Sequence, residues 1–524
     1  MEAFPTRQYP YRSHIQGDDD GSRPARADRL HRFILGLDTA PRALEVEECE
    51  QLVRDPFAVL LRSGPFPLTG RQLLTRFAGL PLERESYIVA EGGQIAWSEQ
   101  SAGILRNTRV IVAWHDGGVL QALLATQPEL DSQRAFLQVI GWDSTAEVYN
   151  FYERRSGTWF WAGNSRHALT PPTRGRGPFD SHVNGALVMK ELRAPWLHWS
   201  SMAAFELPGL APDDPLRGEA VFLERLGAEQ LERLVRSGIH RWTRVRVDEM
   251  VEADVLRDAP TLVRHVLTPT SVNLASSAQE SGVAPDDGLI TLPITFFIDT
   301  TLFDFLEIEA DVAPPMLAWD LYRRALDHFG FELRDAAGAL AAHGDAHFAF
   351  AVPERAFEDI DVVAELVRRP RSLLDTRSAA CLLMVDFVNP VWSPRRERLM
   401  RYVPARAQLS EGTWSLGPGI AARICAAPDA SRANSPEHEF AANWMAGDDW
   451  RAAFGRRIEA YFARLRTRLA QWDGVVDLFR LAEASRRRFL ARPLAEFSLT
   501  LPRTNIPKAA PLLLMREDAT VTRE

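Results

Sequence analysis

Apolar residues recur at three- and four-residue intervals through 449–472: Trp450, Phe454, Ile458, Tyr461, Phe462, Leu465, Leu469 and Trp472. On a helix these fall on one stripe, and Asp448 is placed to cap its N-terminus. A second helical stretch, Val476 to Leu490, predicts a helical hairpin. Helical periodicity also starts near Ala43 and runs through Leu52, Val53, Phe57, Leu60 and Leu61, with Pro56 as a breaker. Residues 220–270, Met316 to Phe329 and Phe357 to Arg368 read as helical too.

The period changes to two in the first half of the chain. Phe136 to Trp142, Glu147 to Glu153 and Thr158 to Ala162 are short runs rich in aromatic and β-branched residues, separated by turn-forming segments. This spacing predicts an antiparallel meander. Its middle run alternates Val148, Asn150 and Tyr152 against Tyr149 and Phe151, so both faces carry bulk and the sheet is expected to be covered on both sides. Ser86 to Ala90 and Gln94 to Trp97 suggest a hairpin around Gly92-Gly93, and Arg109 to Trp114 a further strand. Gly185 to Leu192, Leu289 to Ile298 and Leu382 to Phe387 are also read as strands.

These elements give an α+β class: an antiparallel β meander in the first half with flanking helices, and a mixed second half ending in a helical hairpin. The expected organisation is a flexible tail over 1–30, an α+β domain over 31–275, a linker over 276–288, a mixed region over 289–504 and an extended tail over 505–524. No internal repeat emerges.

Composition narrows the class. The chain has 524 residues, 46% hydrophobic and 25% charged, as in a soluble globular protein. Its net charge of -9 is spread without a basic stripe, which argues against a nucleic-acid partner. The N-terminal segment lacks the apolar core of a secretory signal, and no run of eighteen apolar residues predicts a membrane span. Cys49, Cys381 and Cys425 lie far apart and fit neither a disulfide framework nor a metal knuckle, so a reducing cytoplasm is the expected setting. Homo-oligomerisation is left open.

Lysine occurs only at Lys190 and Lys508, although Lys and Arg together number 61. A compact ammonium is not interchangeable with a guanidinium, so Lys190 is a candidate for holding an anionic substrate or tuning a neighbour. It lies in a segment, Trp159 to Trp199, with four tryptophans (Trp159, Trp161, Trp196, Trp199), three histidines (His167, His182, His198) and Asp180. Histidine and carboxylate are ligand types of zinc and non-haem iron sites. Asp180 and His182 would share one face if extended, and His198 would supply a third ligand. A haem pocket with one axial histidine, an aromatic wall including Trp161, and Arg174 and Arg176 meeting propionates is the related reading. Arg174-Gly175-Arg176-Gly177 also suits an anion-binding loop. Against these stands a plain structural account: tryptophans as core and rim, histidines bonded to backbone carbonyls, and a solvated turn.

Other motifs carry less. His343 and His347 fit a turn before a strand. Gly417-Pro418-Gly419-Ile420-Ala421-Ala422 lacks the βαβ context of a dinucleotide fingerprint. There is no GxxxxGK, GxSxG or HExxH motif. The resulting expectation is a small-molecule oxidoreductase with a non-haem metal or haem cofactor, with Lys190 and His182 catalytic and Asp180, His182 and His198 as metal ligands. Alternatives are a non-catalytic binding or scaffold protein that uses the aromatic segment as a platform, and a metal-free hydrolase or lyase.

Overall fold

The computed structural model describes residues 28–89, 108–187, 211–275, 287–334, 341–343, 350–368, 370, 372–491 and 502–524. It divides into two compact units: the first within residues 1–242, with 334–341 and 493–500, and the second taking the remainder from Thr243 onward. The α+β expectation holds.

The first unit is built on an eight-stranded sheet. Its elements in chain order are β1 (Leu30–Arg32), β2 (Arg42–Ala43), α1 (Val46–Leu52), α2 (Pro56–Arg62), α3 (Gly70–Phe77), β3 (Glu83–Val89), β4 (Arg109–Asp116), β5 (Val119–Thr126), β6 (Leu137–Asp143), β7 (Val148–Arg155), β8 (Thr158–Asn164), α4 (Ser165–Leu169), α5 (Ala220–Leu223) and α6 (Ala228–Glu249), the last contributing its residues up to Trp242. The strand order is β2-β1-β8-β7-β6-β5-β4-β3. From β3 to β8 each strand pairs antiparallel with the next, while β1 lies parallel to β8 and antiparallel to β2. The predicted meander is therefore β6 to β8. β3 pairs antiparallel with β4, through Ser86↔Val112, and the hairpin expected around Gly92-Gly93 falls within 90–107, which lie outside the described residues. The β4–β5 turn is at Gly117-Gly118, with φ of 54° and 80°, the left-handed pair that matches the twist of adjacent strands.

Every residue of β7 but the last is buried, which requires cover on both faces. On one face Phe57 packs against Tyr152 and Trp159 at 4.9 and 4.7 Å, and Phe77 stacks on Trp114 at 4.0 Å. On the other, Phe179 meets Phe151 at 5.4 Å, the Tyr149 hydroxyl donates to the Gly238 carbonyl of α6 at 3.0 Å, and Arg241 lies 3.9 Å over Trp142. As expected, the helical run is broken at Pro56: α1 ends at Leu52 and α2 starts at Pro56. It occupies the first turn of α2, where its missing N–H costs nothing, and Asp55 caps that turn by accepting from Phe57 N and Ala58 N. Gly141 gives Asp55 its room, since a Cβ there would stand 2.2 Å from Oδ1.

The second unit has a mainly helical core. Trp450–Leu469 and Trp472–Leu490 form the expected hairpin. A short 3-10 turn, Gly447–Asp449, precedes the first, so Asp449 rather than Asp448 takes the cap position, without a side-chain cap bond. Phe479 is an aromatic hub, within 6.0 Å of Tyr322, 5.7 Å of Phe329, 5.3 Å of Phe331 and 5.0 Å of Phe350.

Four local expectations are corrected in this unit. Leu382 to Phe387 is not a strand: Thr376–Leu383 is helical and continues into turns, because a helix buried all round shows the same unbroken apolar run as a buried strand. Of Leu289 to Ile298 only Leu289–Thr291 is strand; Pro293 leads into the 3-10 turn Ile294–Phe296. Met316–Ala318 pairs with that strand, and the helix begins only at Trp319. The final residues are no extended tail, for Leu513–Met515 and Val521–Arg523 pair as a hairpin. The glycine motif at 417–419 lies in the first turn of helix Leu416–Cys425, where Gly417 makes room for Asp375. Among the described residues no helix is long and apolar enough to cross a membrane.

Candidate functional site

The segment singled out from the sequence is partly described. Trp159 and Trp161 are buried on β8, where their indole N–H groups donate to the Pro67 carbonyl at 2.8 Å and to Asn150 Oδ1 at 3.0 Å. They pack the sheet. His167 belongs to the capping box of α4, and burial, with the nearby Arg32 guanidinium, pushes it down to about 4, so it is neutral at pH 7. Asp180 ends the 3-10 turn Gly177–Asp180, and Ser181 has φ −105° and ψ −39°. The backbone between Asp180 and His182 is thus not extended, and the alternation that puts residues two apart on one face of a strand does not hold here. Gly185, Ala186 and Leu187, expected to begin a strand, are irregular. Arg174 and Arg176 are exposed in a turn, with Arg174 Nη2 donating to the Leu169 carbonyl at 3.0 Å. Lys190, Trp196, His198 and Trp199 lie outside the described residues.

His182 keeps one feature of a ligand. Its Nδ1 is 2.8 Å from the Ala186 carbonyl and its ring lies 5.0 Å from Phe151. A carbonyl only accepts, so Nδ1 carries the proton in this contact. Among the described residues, no three His, Cys, Asp or Glu side chains converge as a metal would require.

Among the described residues, a concentration of buried charge lies in the second unit and was not legible in the sequence. His265 is 1% exposed and Asp359 is fully buried. His265 Nδ1 stands 2.6 Å from Asp359 Oδ1, and Arg246 Nη2 donates to Nε2 from 2.7 Å. The imidazole is therefore neutral with its proton on Nδ1; burial, then Arg246, lowers its pKa. Asp359 also accepts from Thr270 N and Ser271 N, at 3.1 and 3.0 Å, and from the Thr270 hydroxyl at 2.8 Å. Burial opposes its charge, but these donors, His265 and Arg355 outweigh it and hold the carboxyl below its usual range. Arg355 in turn donates to Asp299, to the His265 carbonyl and to the Pro390 carbonyl. Arg396, fully buried, spans the carbonyls of Leu267, Val385, Asn389 and Pro390; burial and Arg355 push it down to about 10.

Two guanidiniums thus meet on the Pro390 carbonyl and immobilise the segment Asn389 to Ser393. Ser393 caps helix Pro394–Arg398 by accepting from Arg396 N, while its hydroxyl donates to Asp386. This segment forms one wall of a cleft of about 280 Å³, which Thr268, Trp392, Ser393, Glu397, Arg487, Arg488 and Glu524 line. That volume is just under the ~300 Å³ at which ordinary ligand sites begin, so only a small molecule fits. The cleft offers an indole, the Thr268 hydroxyl, two guanidiniums and two carboxylates, on a wall held by buried hydrogen bonds to which the Ser393 hydroxyl is committed.

A sequence signal for this wall existed in Ser393-Pro394, a cap residue followed by proline at the first helical position. Nothing local announced that Arg355 and Arg396 would converge behind it. No protein-family model matches this chain, and neither a curated protein nor a solved structure is significantly similar to it.

Proposed function

We propose that the protein binds a small polar molecule in the cleft of its second unit. The observation that carries this reading is the fixed wall: Asn389 to Ser393 is held from behind by Arg355 and Arg396 while presenting Trp392 and Ser393 toward the cleft. A site whose lining is locked before the ligand arrives loses little ordering entropy on binding. Indole, hydroxyl and guanidinium groups together suit a compact ligand with one flat or apolar part and one polar end. Fluorine NMR of protein carrying 5-fluorotryptophan tests this, with Trp392→Phe assigning the Trp392 resonance among the 14 tryptophans. Polar fragments at millimolar concentration are expected to shift that resonance selectively. A library in which no fragment moves it would sink the reading.

A second reading retains the oxidoreductase expectation, with His182 as a metal or haem ligand. It is supported by the Nδ1 hydrogen bond to Ala186, the arrangement in which a ligating histidine commonly donates its other nitrogen to a carbonyl. An absorption spectrum with elemental analysis of freshly purified protein decides it. A Soret band or near-stoichiometric metal, lost in His182→Ala without unfolding, is the expected result. Colourless protein that takes up no metal ends it.

A further inference from the structure

Arg488 already holds a carboxylate at this cleft. Its side chain is only 9% exposed; Nη1 is anchored on the Leu513 carbonyl at 2.9 Å, and Nη2 donates to Glu524 Oε2 at 2.8 Å. Glu524 is itself 35% exposed and reaches the cleft from the C-terminal hairpin. Beside it, Arg487 is held by the carbonyls of Lys508, Ala510 and Pro511. Those dipoles orient the guanidinium without neutralising it, and its Nε is buried without a hydrogen-bond partner among the described residues. Arg487 and Arg488 therefore present an oriented pair of cations to the cleft, of which one is met by a carboxylate from an exposed side chain.

We infer that the cleft takes a carboxylate-bearing small molecule, and that Glu524 occupies the carboxylate position on Arg488 until the ligand displaces it. This rests on the proposed binding role of the cleft. Arginine pairs with carboxylates through charge-assisted hydrogen bonds, and a neutral amide of the same shape replaces one acceptor oxygen by a donor facing the guanidinium. An internal competitor lowers apparent affinity by the fraction of molecules in which it is bound. Glu397 also lines the cleft and repels a second negative charge, so the ligand's acid is matched by the Arg487–Arg488 pair.

The full chain, labelled with 5-fluorotryptophan, is titrated with benzoate and with benzamide, and the same is done for Glu524→Gln. Benzoate is expected to shift the Trp392 resonance while benzamide does not, and Glu524→Gln should bind benzoate about fivefold more tightly, the upper end for a rim ion pair. Equal response to acid and amide, or an unchanged benzoate affinity in Glu524→Gln, overturns the inference. If neither compound shifts Trp392 although other uncharged fragments do, the carboxylate assignment fails while the cleft remains a binding site. Silence from every fragment removes both.

Discussion

Asp359→Ala is expected to lower the unfolding free energy by about 3–5 kcal/mol, the range for breaking one member of a buried ion-paired network. The carboxylate satisfies Thr270 N, Ser271 N, the Thr270 hydroxyl and His265 Nδ1 in a place that water does not reach, and its charge offsets Arg246 and Arg355. Truncation leaves these donors without their acceptor and removes a negative charge that faces Arg246 and Arg355, of which Arg355 keeps its ion pair with Asp299. Urea denaturation measures the loss, and hydrogen exchange should show it first in Ala259–Leu267 and Val272–Ala275. A change below about 1 kcal/mol would mean that the network relaxes onto other acceptors. The same network fixes an acid sensitivity. His265 has a folded pKa below its unfolded value near 6.5, so below that pH the unfolded chain binds a proton that the folded chain refuses. Stability falls as pH drops, by about 1.4 kcal/mol per unit at most for this group. Asp359, also lowered, contributes stability above its unfolded value that is lost as pH falls through its folded one. Both act in the same direction. In His265→Gln the dependence between pH 6.5 and 5 should flatten; an unchanged slope would assign it to other histidines.

Asp55→Ala is the second large effect, expected at about 3–5 kcal/mol: an N-cap is worth ~1 kcal/mol and each buried donor left without its acceptor ~1–3 kcal/mol. Asp55 accepts from Phe57 N and Ala58 N at 3.0 and 3.1 Å, from Asn150 Nδ2 at 3.0 Å, and from the Tyr152 hydroxyl. It therefore ties the first turn of α2 to the middle of β7, while Asn150 Oδ1 passes the connection on to Trp161. Burial raises its pKa despite these donors, so the folded state holds a proton more readily than the unfolded one. Its titration favours the folded state at low pH, with that contribution lost as pH rises through its folded value, opposite in sign to His265 and Asp359. Thermal or urea unfolding of Asp55→Ala measures the loss. A loss under about 1 kcal/mol would reduce Asp55 to a simple helix cap.

The long periodic segments were readable because their own pattern decides them. Seven of the eight apolar residues at helical spacing are buried together in one helix, Trp450–Leu469, while Trp472, expected on the same stripe, opens the next helix. The meander from Leu137 to Asn164 was equally legible: alternating aromatic and β-branched residues between turn formers fit a pleated sheet, and bulk on both sides required two covering layers. Short apolar runs were not decidable in this way. Leu382 and Leu383 suit a buried helix or a buried strand, and only the surrounding packing chose helix. The terminal residues show the same limit, since their hairpin depends on Arg487, Arg488 and Arg457 side chains far earlier in the chain.

The chemistry separates along the same line. The sequence alone determined a long amphipathic helical pair, an aromatic antiparallel sheet, a near-total preference for arginine, and the absence of the common nucleotide and hydrolase motifs. Tertiary structure alone decided which charges are buried together. Arg246, His265, Arg355, Asp359 and Arg396 span 150 positions and carry no shared spacing, yet they meet because helices and strands from separate stretches pack around one core. Local patterns report which face of an element is apolar; a polar cluster is defined by distances in space, and those exist only once the elements have been brought together.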